Sequence, residues 1–334
     1  MQDDKLSTAA VRDTLVSRAS ALLKEGKVQI VLGWRKGLFD YDVTPSLFTT
    51  AEDIERNFVY NEWCGANLSK YLVKETRRIE TAKDTVRTNN KMAKAKNPDA
   101  ADAPEPQTKI LVFLKPCDTY SFTELLKEHR ISRDDVYAVG VPCDGMKDPE
   151  KKDISERCTV CKSKKHVTYD ELVGEDGAVQ DSKRFDMVEK LEAMPAEERF
   201  AFWQGELSRC IRCNACRDIC PACTCEHCIF DNPNSGASQK VAADDFEESM
   251  YHIIRAWHVA GRCTDCGECS RVCPQNIPLH LLNRKFIKDI NELYGPYTAG
   301  SDMETKPPML TWTKDDAEPN VVYTRDKADT QGGR

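Results

Sequence analysis

Cys210, Cys213, Cys216 and Cys220, followed by Pro221, spell C-x2-C-x2-C-x3-C-P, and Cys263, Cys266, Cys269, Cys273 and Pro274 spell it again. Three thiolates on one tight loop can reach three irons at neighbouring corners of a 4Fe-4S cubane, and the fourth corner must be held from elsewhere. Structural zinc is the alternative, but tetrahedral zinc sites usually use two separated thiolate pairs rather than three thiolates at this spacing twice over. Asn214 and Gly267, which directly follow the second cysteine of each motif, are residue types that tolerate positive φ and so help a loop turn its amides toward sulfide. Arg209, Arg212, Arg217, Arg262 and Arg271 flank the motifs. They either offset the negative charge of a thiolate-bound cluster and raise its potential, or are ordinary solvated arginines.

Helical periodicity surrounds both motifs. Phe200, Trp203 and Leu207 recur before the first, and Phe246, Met250, Ile253 and Trp257 before the second; Pro278 to Leu293 predicts a further helix stopped by Gly295. The pair resembles two-cluster ferredoxins, in which each motif lends its last cysteine to the other cluster. That resemblance implies one 4Fe-4S cluster on Cys210, Cys213, Cys216 and Cys273, and a second on Cys263, Cys266, Cys269 and Cys220. The 42 residues between the motifs, 221–262, are long for a compact β-rich ferredoxin. Residues 195–295 resemble the helical ferredoxin domain of the iron-sulfur subunits of succinate dehydrogenases and heterodisulfide reductases.

The amino-terminal half has a different pattern. KILVFL from Lys109 and VYAVGV from Val136 are short β-branched runs of the kind buried in parallel sheets. Ser121 and Glu124 stand at capping-box spacing for a helix between them, giving a βαβ unit whose strands run parallel. Val28 to Leu32 reads as another strand, after a helix over Val11 to Leu23 stopped by Gly26. The predicted fold class is therefore an α/β domain over 1–190, a mainly α-helical two-cluster domain over 191–299, and an extended tail over 300–334. Residues 80–107, rich in charge, Ala, Asn and Pro, are expected to be a mobile insertion.

Cys117 and Cys143 follow the two parallel strands, and Cys158 and Cys161 add a C-x2-C pair. If the strands are neighbours, both thiols emerge at the carboxyl edge of the sheet, where α/β proteins place their sites. Four converging thiolates suit a third 4Fe-4S cluster; zinc and unligated thiols are the alternatives. ILVFLKPCDTYSFTELL, AVGVPC and the following C-x2-C resemble the amino-terminal domain shared by deazaflavin-reducing hydrogenase beta subunits, archaeal sulfhydrogenase beta subunits and the corresponding iron-sulfur subunits of anaerobic sulfite reductases. This resemblance implies a third cluster at the same four cysteines, and electron passage between a flavoprotein and a redox enzyme such as a hydrogenase or a heterodisulfide-reductase-like module. Some such relatives bind FAD, but no G-x-G-x-x-G follows a strand here, so FAD stays open.

Sixteen cysteines in 334 residues leave Cys64, Cys223, Cys225 and Cys228 after twelve are assigned. They would form a fourth metal site only if they met in space; His227 beside the local three is a zinc alternative, and reduced structural thiols a third. Lys+Arg 48 against Asp+Glu 55 gives a net charge of -7, which argues against a nucleic-acid partner. The start MQDDKLSTAAVRDTL lacks the pattern of a secretory signal, and the chain has no apolar run of about 18 residues, so a cytoplasmic protein with reduced thiols is expected. The competing functions are an electron-transfer subunit of an anaerobic heteromeric oxidoreductase, a flavin-bearing reductase subunit, and a zinc-stabilised assembly scaffold.

Overall fold

The computed structural model describes residues 8–178, 183–232 and 245–311. In chain order, helix α1 (Thr8–Lys24) leads to strands β1 (Ile30–Lys36) and β2 (Val43–Phe48), then α2 (Ala51–Asn57) and the long α3 (Ser69–Lys96). Strand β3 (Ile110–Leu114), α4 (Pro116–Lys127) and β4 (Val136–Gly140) follow, then α5 (Glu156–Thr159) and β5 (Glu171–Leu172). The remaining helices are α6 (Asp186–Ala193), α7 (Ala196–Leu207), α8 (Ala215–Asp218), α9 (Asp245–His258), α10 (Glu268–Arg271) and α11 (Leu279–Tyr294).

The sheet order is β2-β1-β3-β4-β5, with β2 antiparallel and the others parallel. All five residues of β3 are buried, as a central parallel strand covered on both faces requires. The β3–α4–β4 unit has its strands side by side, Ile110 opposite Val136 through Leu114 opposite Gly140. His166 ties their carboxyl ends together: its Nε2 lies 3.2 Å from the Leu114 carbonyl and 3.1 Å from that of Val141, and its Nδ1 lies 2.6 Å from Asp176.

The helix after β3 starts earlier than its capping-box spacing suggested. Lys115 is the N-cap, Pro116 occupies the first turn, and Asp118 accepts from the Lys115 amide, so Ser121 and Glu124 are buried within the helix. Cys117 consequently sits in the first turn of α4, at the mouth of the sheet.

Residues 80–107, expected to be a mobile insertion, instead continue α3 as helix as far as Lys96. Only its first half is anchored on the core, through Leu72, Thr76 and Ile79. Beyond that, the segment after the helix folds back along it: Arg87 pairs with Glu105 at 2.8 Å, Lys94 with Asp102 at 2.7 Å, and Asn90 brackets Ala103 with two hydrogen bonds. Ala, Lys and Glu are good helix formers, and this polar strap supplies what apolar surface does not.

Helix α9 lies where its periodicity placed it, with its apolar stripe outward. Phe246 is 72% exposed and Trp257 57%, whereas Glu248, His252 and Arg255 are buried. The segment 300–305 touches α4, where a Cβ at Gly300 would meet the Tyr120 carbonyl and Lys127 donates to the Thr305 carbonyl at 2.6 Å, and Met309 packs against the cluster of Ala260, Ile290 and Tyr297. The rest of the expected tail, 312–334, lies outside the described residues. Among the described residues no helix is long and apolar enough to cross a membrane.

Candidate metal centres

The two cysteine loops share one backbone design. Arg212 and Asp265 have φ of 52° and 53°, and Asn214 and Gly267 have φ of 63° and 68°. Each left-handed pair is followed by a four-residue helix, α8 or α10, that carries the third cysteine inward. The geometry turns backbone amides toward the thiols: the Arg212 amide donates to Cys210 Sγ at 3.3 Å. At Gly267 a side chain would also collide with Arg157, since a Cβ would lie 2.9 Å from the Arg157 Cβ.

Cys210, Cys213, Cys216 and Cys273 line a single cavity, so the last cysteine of the second motif does face the first loop. Cys263, Cys266 and Cys220 line another. Cys269 is buried, lines neither cavity, and packs in the cluster that contains Cys216 with Cys210 and Cys273 at its edge. Cys117, Cys143, Cys158 and Cys161 line a third cavity at the carboxyl edge of β3 and β4. Cys266 lines both the second and the third cavity, so these two sites are adjacent.

The four cysteines left over do not meet as a set. Cys64 is buried in the hydrophobic core of the α/β half, where it accepts from the Asn61 amide at 3.3 Å. Cys223, Cys225 and Cys228 line a separate cavity of about 260 Å³ with Lys70, Arg217, Arg255 and His258. His227, the zinc alternative beside them, is exposed.

Thiol spacing tests what these groups can hold. A zinc ion with bonds of about 2.3 Å would draw its tetrahedral sulfurs to about 3.8 Å of one another. Among the described residues the one group of three possible donors lying mutually within 4.8 Å is Cys210, Glu248 and His252, and Glu248 is engaged by Arg212 at 2.8 Å. The four-thiol sets are spread more widely, as cubane irons at separate corners require. Burial pushes three of these thiols up, Cys210 to about 12 and Cys143 and Cys269 to about 11. They stay protonated at neutral pH until metal takes the proton's place.

The charges around the sites are largely balanced by carboxylates. Arg212 pairs with Glu248, Arg217 with Asp231, Arg262 with Glu128, Arg271 with Glu268 and Arg209 with Glu206. The flanking arginines are thus held in ion pairs rather than simply solvated. Two further cations flank the third site instead of the two motifs. Lys115 is fully buried behind Cys117, 2.8 Å from Asp118; burial works against its charge, but Asp118 and the Cys117 thiol more than offset this, and its pKa is raised. Arg157, beside Cys158, donates to the Cys266 carbonyl at 3.0 Å and to Glu268, bridging the third site to the second. Only its position next to a predicted ligand could have marked Arg157 in the sequence.

Residues 206–277 match the family described as the 4Fe-4S dicluster domain. A putative ferredoxin-3 of Sinorhizobium fredii is 33% identical over 73 residues, 70% of that protein and 22% of this chain. Through this segment the chain belongs to the 4Fe-4S dicluster ferredoxins. The dicluster segment and its fit to the cysteine loops make the chain an iron-sulfur electron-transfer protein of oxidoreductase type. The F420-dependent formate dehydrogenase subunit beta of Methanocaldococcus jannaschii is 30% identical over 129 residues, 39% of this chain and 32% of that protein. The F420-dependent formate dehydrogenase 1 subunit beta of Methanococcus maripaludis is 22% identical over 385 aligned positions, covering 86% of this chain and 90% of that protein. The chain therefore spans about a third of the first of these relatives and most of the second.

Proposed function

We propose that the chain is the electron-transfer subunit of an anaerobic, cytoplasmic, heteromeric oxidoreductase. It carries three 4Fe-4S clusters in a row, on Cys117, Cys143, Cys158 and Cys161; on Cys263, Cys266, Cys269 and Cys220; and on Cys210, Cys213, Cys216 and Cys273. The observation that carries this reading is that Cys266 lines the walls of two cavities, while Cys269, of the same loop, packs against Cys216 of the first site. Each cluster when bound accepts and releases one electron. The chain's own residues fix the order of the sites, exclude water from the buried thiols and keep cationic side chains beside them.

The partners are a flavoprotein at one end and a redox enzyme at the other. The relatives' names are those of F420-dependent formate dehydrogenase beta subunits, which points to a multi-subunit complex, and a negatively charged chain without a nucleotide-binding glycine fingerprint suits the relay rather than either terminus. We place the α/β part at 1–190 and the dicluster part at 191–299.

In the complex isolated without oxygen from its own cells, Cys117→Ser should abolish electron passage from end to end. Each terminal subunit should still react with an artificial dye. End-to-end transfer at the wild-type rate, with the third cluster absent, would reject the relay.

A further inference from the structure

Helix α9 is turned inside out. Phe246, Met250, Ile253 and Trp257 are exposed, while His252 and Arg255, each 1% exposed, point inward one turn apart. Among the described residues, none of the three guanidinium nitrogens of Arg255 has a hydrogen-bond partner, and neither has either ring nitrogen of His252. A buried cation without partners is too costly to keep unless something anionic faces it. The third buried polar residue of this face, Glu248, is already neutralised by Arg212, so it does not serve.

What faces these two side chains is sulfur. His252 lines the cavity of Cys210, Cys213, Cys216 and Cys273. Burial works against the charge of Arg255, and the groups that most favour it are Cys269 of the second loop, Cys216 and Cys220 of the first, and Cys223 beyond it. Arg255 also lines the separate cavity of Cys223, Cys225 and Cys228.

We propose that Arg255 donates hydrogen bonds to the sulfurs of both clusters of the dicluster segment, that His252 donates to the Cys210 cluster alone, and that together they raise the reduction potentials. This rests on the ligand sets proposed above. A positive charge and N–H donors near sulfur stabilise the more negative, reduced cluster, so removing them favours the oxidised form. Both are positioning residues for the potential and ligate no iron.

The test is a redox titration followed by electron paramagnetic resonance, with iron counted on the same samples of the full chain. In Arg255→Met with its iron retained, the reduced-to-oxidised ratio of both dicluster centres at the wild-type midpoint should fall at least tenfold, about 59 mV for one electron. The centre at Cys117 should not move, and Arg255→Lys should recover most of the shift. In His252→Gln the Cys210 centre alone should change. If the methionine variant fails to take up iron, Arg255→Gln, which keeps donors and loses the charge, is read in the same way. Unchanged midpoints at full iron content would overturn the proposal. Wild-type protein without cubane signals would instead overturn the ligand assignment on which it rests.

Discussion

Cys64 and Cys117 are the same residue type in the same half of the chain, yet their surroundings differ. Cys64 is enclosed by the α/β core, with its thiol pushed up to about 12 by burial. Cys117 opens onto a cavity shared with three other thiols. Cys64→Ala should therefore keep the full iron content, whereas Cys117→Ser should lose about four irons, both measured on protein purified without oxygen. The spacing of the two C-x2-C-x2-C-x3-C-P motifs was enough to find eight candidate ligands. Arg255 was not legible, because a lone arginine in a helix has no spacing to betray it. Its significance appears only when burial and missing partners are seen together.

At the scale of elements, the parallel strands β3 and β4 were legible because a buried strand needs a continuous apolar run, and few other elements have one. β5 has two residues, too short to carry a pattern, and β2 contains Pro45, tolerable there because β2 is an edge strand. The reach of α3 was missed because its outer half is held by polar pairs instead of a core face. In α9 periodicity found the helix, but the stripe does not face the core. Phe246→Ser should accordingly change stability by no more than about 0.5 kcal/mol in thermal melts, where a core phenylalanine would cost about 3–5 kcal/mol. The cysteine loops depend on backbone geometry. Asn214→Gly keeps the left-handed φ and should lose only the hydrogen bond accepted from the Tyr251 hydroxyl at 3.0 Å, about 1 kcal/mol, whereas Asn214→Val should cost about 1–3 kcal/mol more, because a β-branched residue resists left-handed φ.

Across the whole molecule, the α/β half and the dicluster loops meet through buried polar contacts. Glu268 is the centre of this junction: it accepts from the Asn67 amide at 3.2 Å and pairs with both Arg157 and Arg271. Ser121 and Thr264 join hydroxyls at 2.8 Å beside it. Glu268→Gln strands two arginines and should destabilise the protein by roughly 3–5 kcal/mol in denaturant unfolding. Acid should also loosen this region through His280, whose pKa burial lowers to about 4. A lowered folded pKa means the unfolded chain binds the proton more readily. The contribution is full above about 6.5 and is lost as pH falls toward 4. Melting temperature should drop across that window, and less steeply in His280→Gln. Neither this junction nor the adjacency of the three thiol sites could be read from the sequence, since both depend on residues about 100 to 200 positions apart finding one another. Three cubanes wired in series have a stoichiometry that iron and acid-labile sulfide analysis of the anaerobically purified chain reads without any assumption about partners. About twelve of each per chain is the expected result; about eight of each, or zinc in place of iron at the Cys117 site, would contradict it.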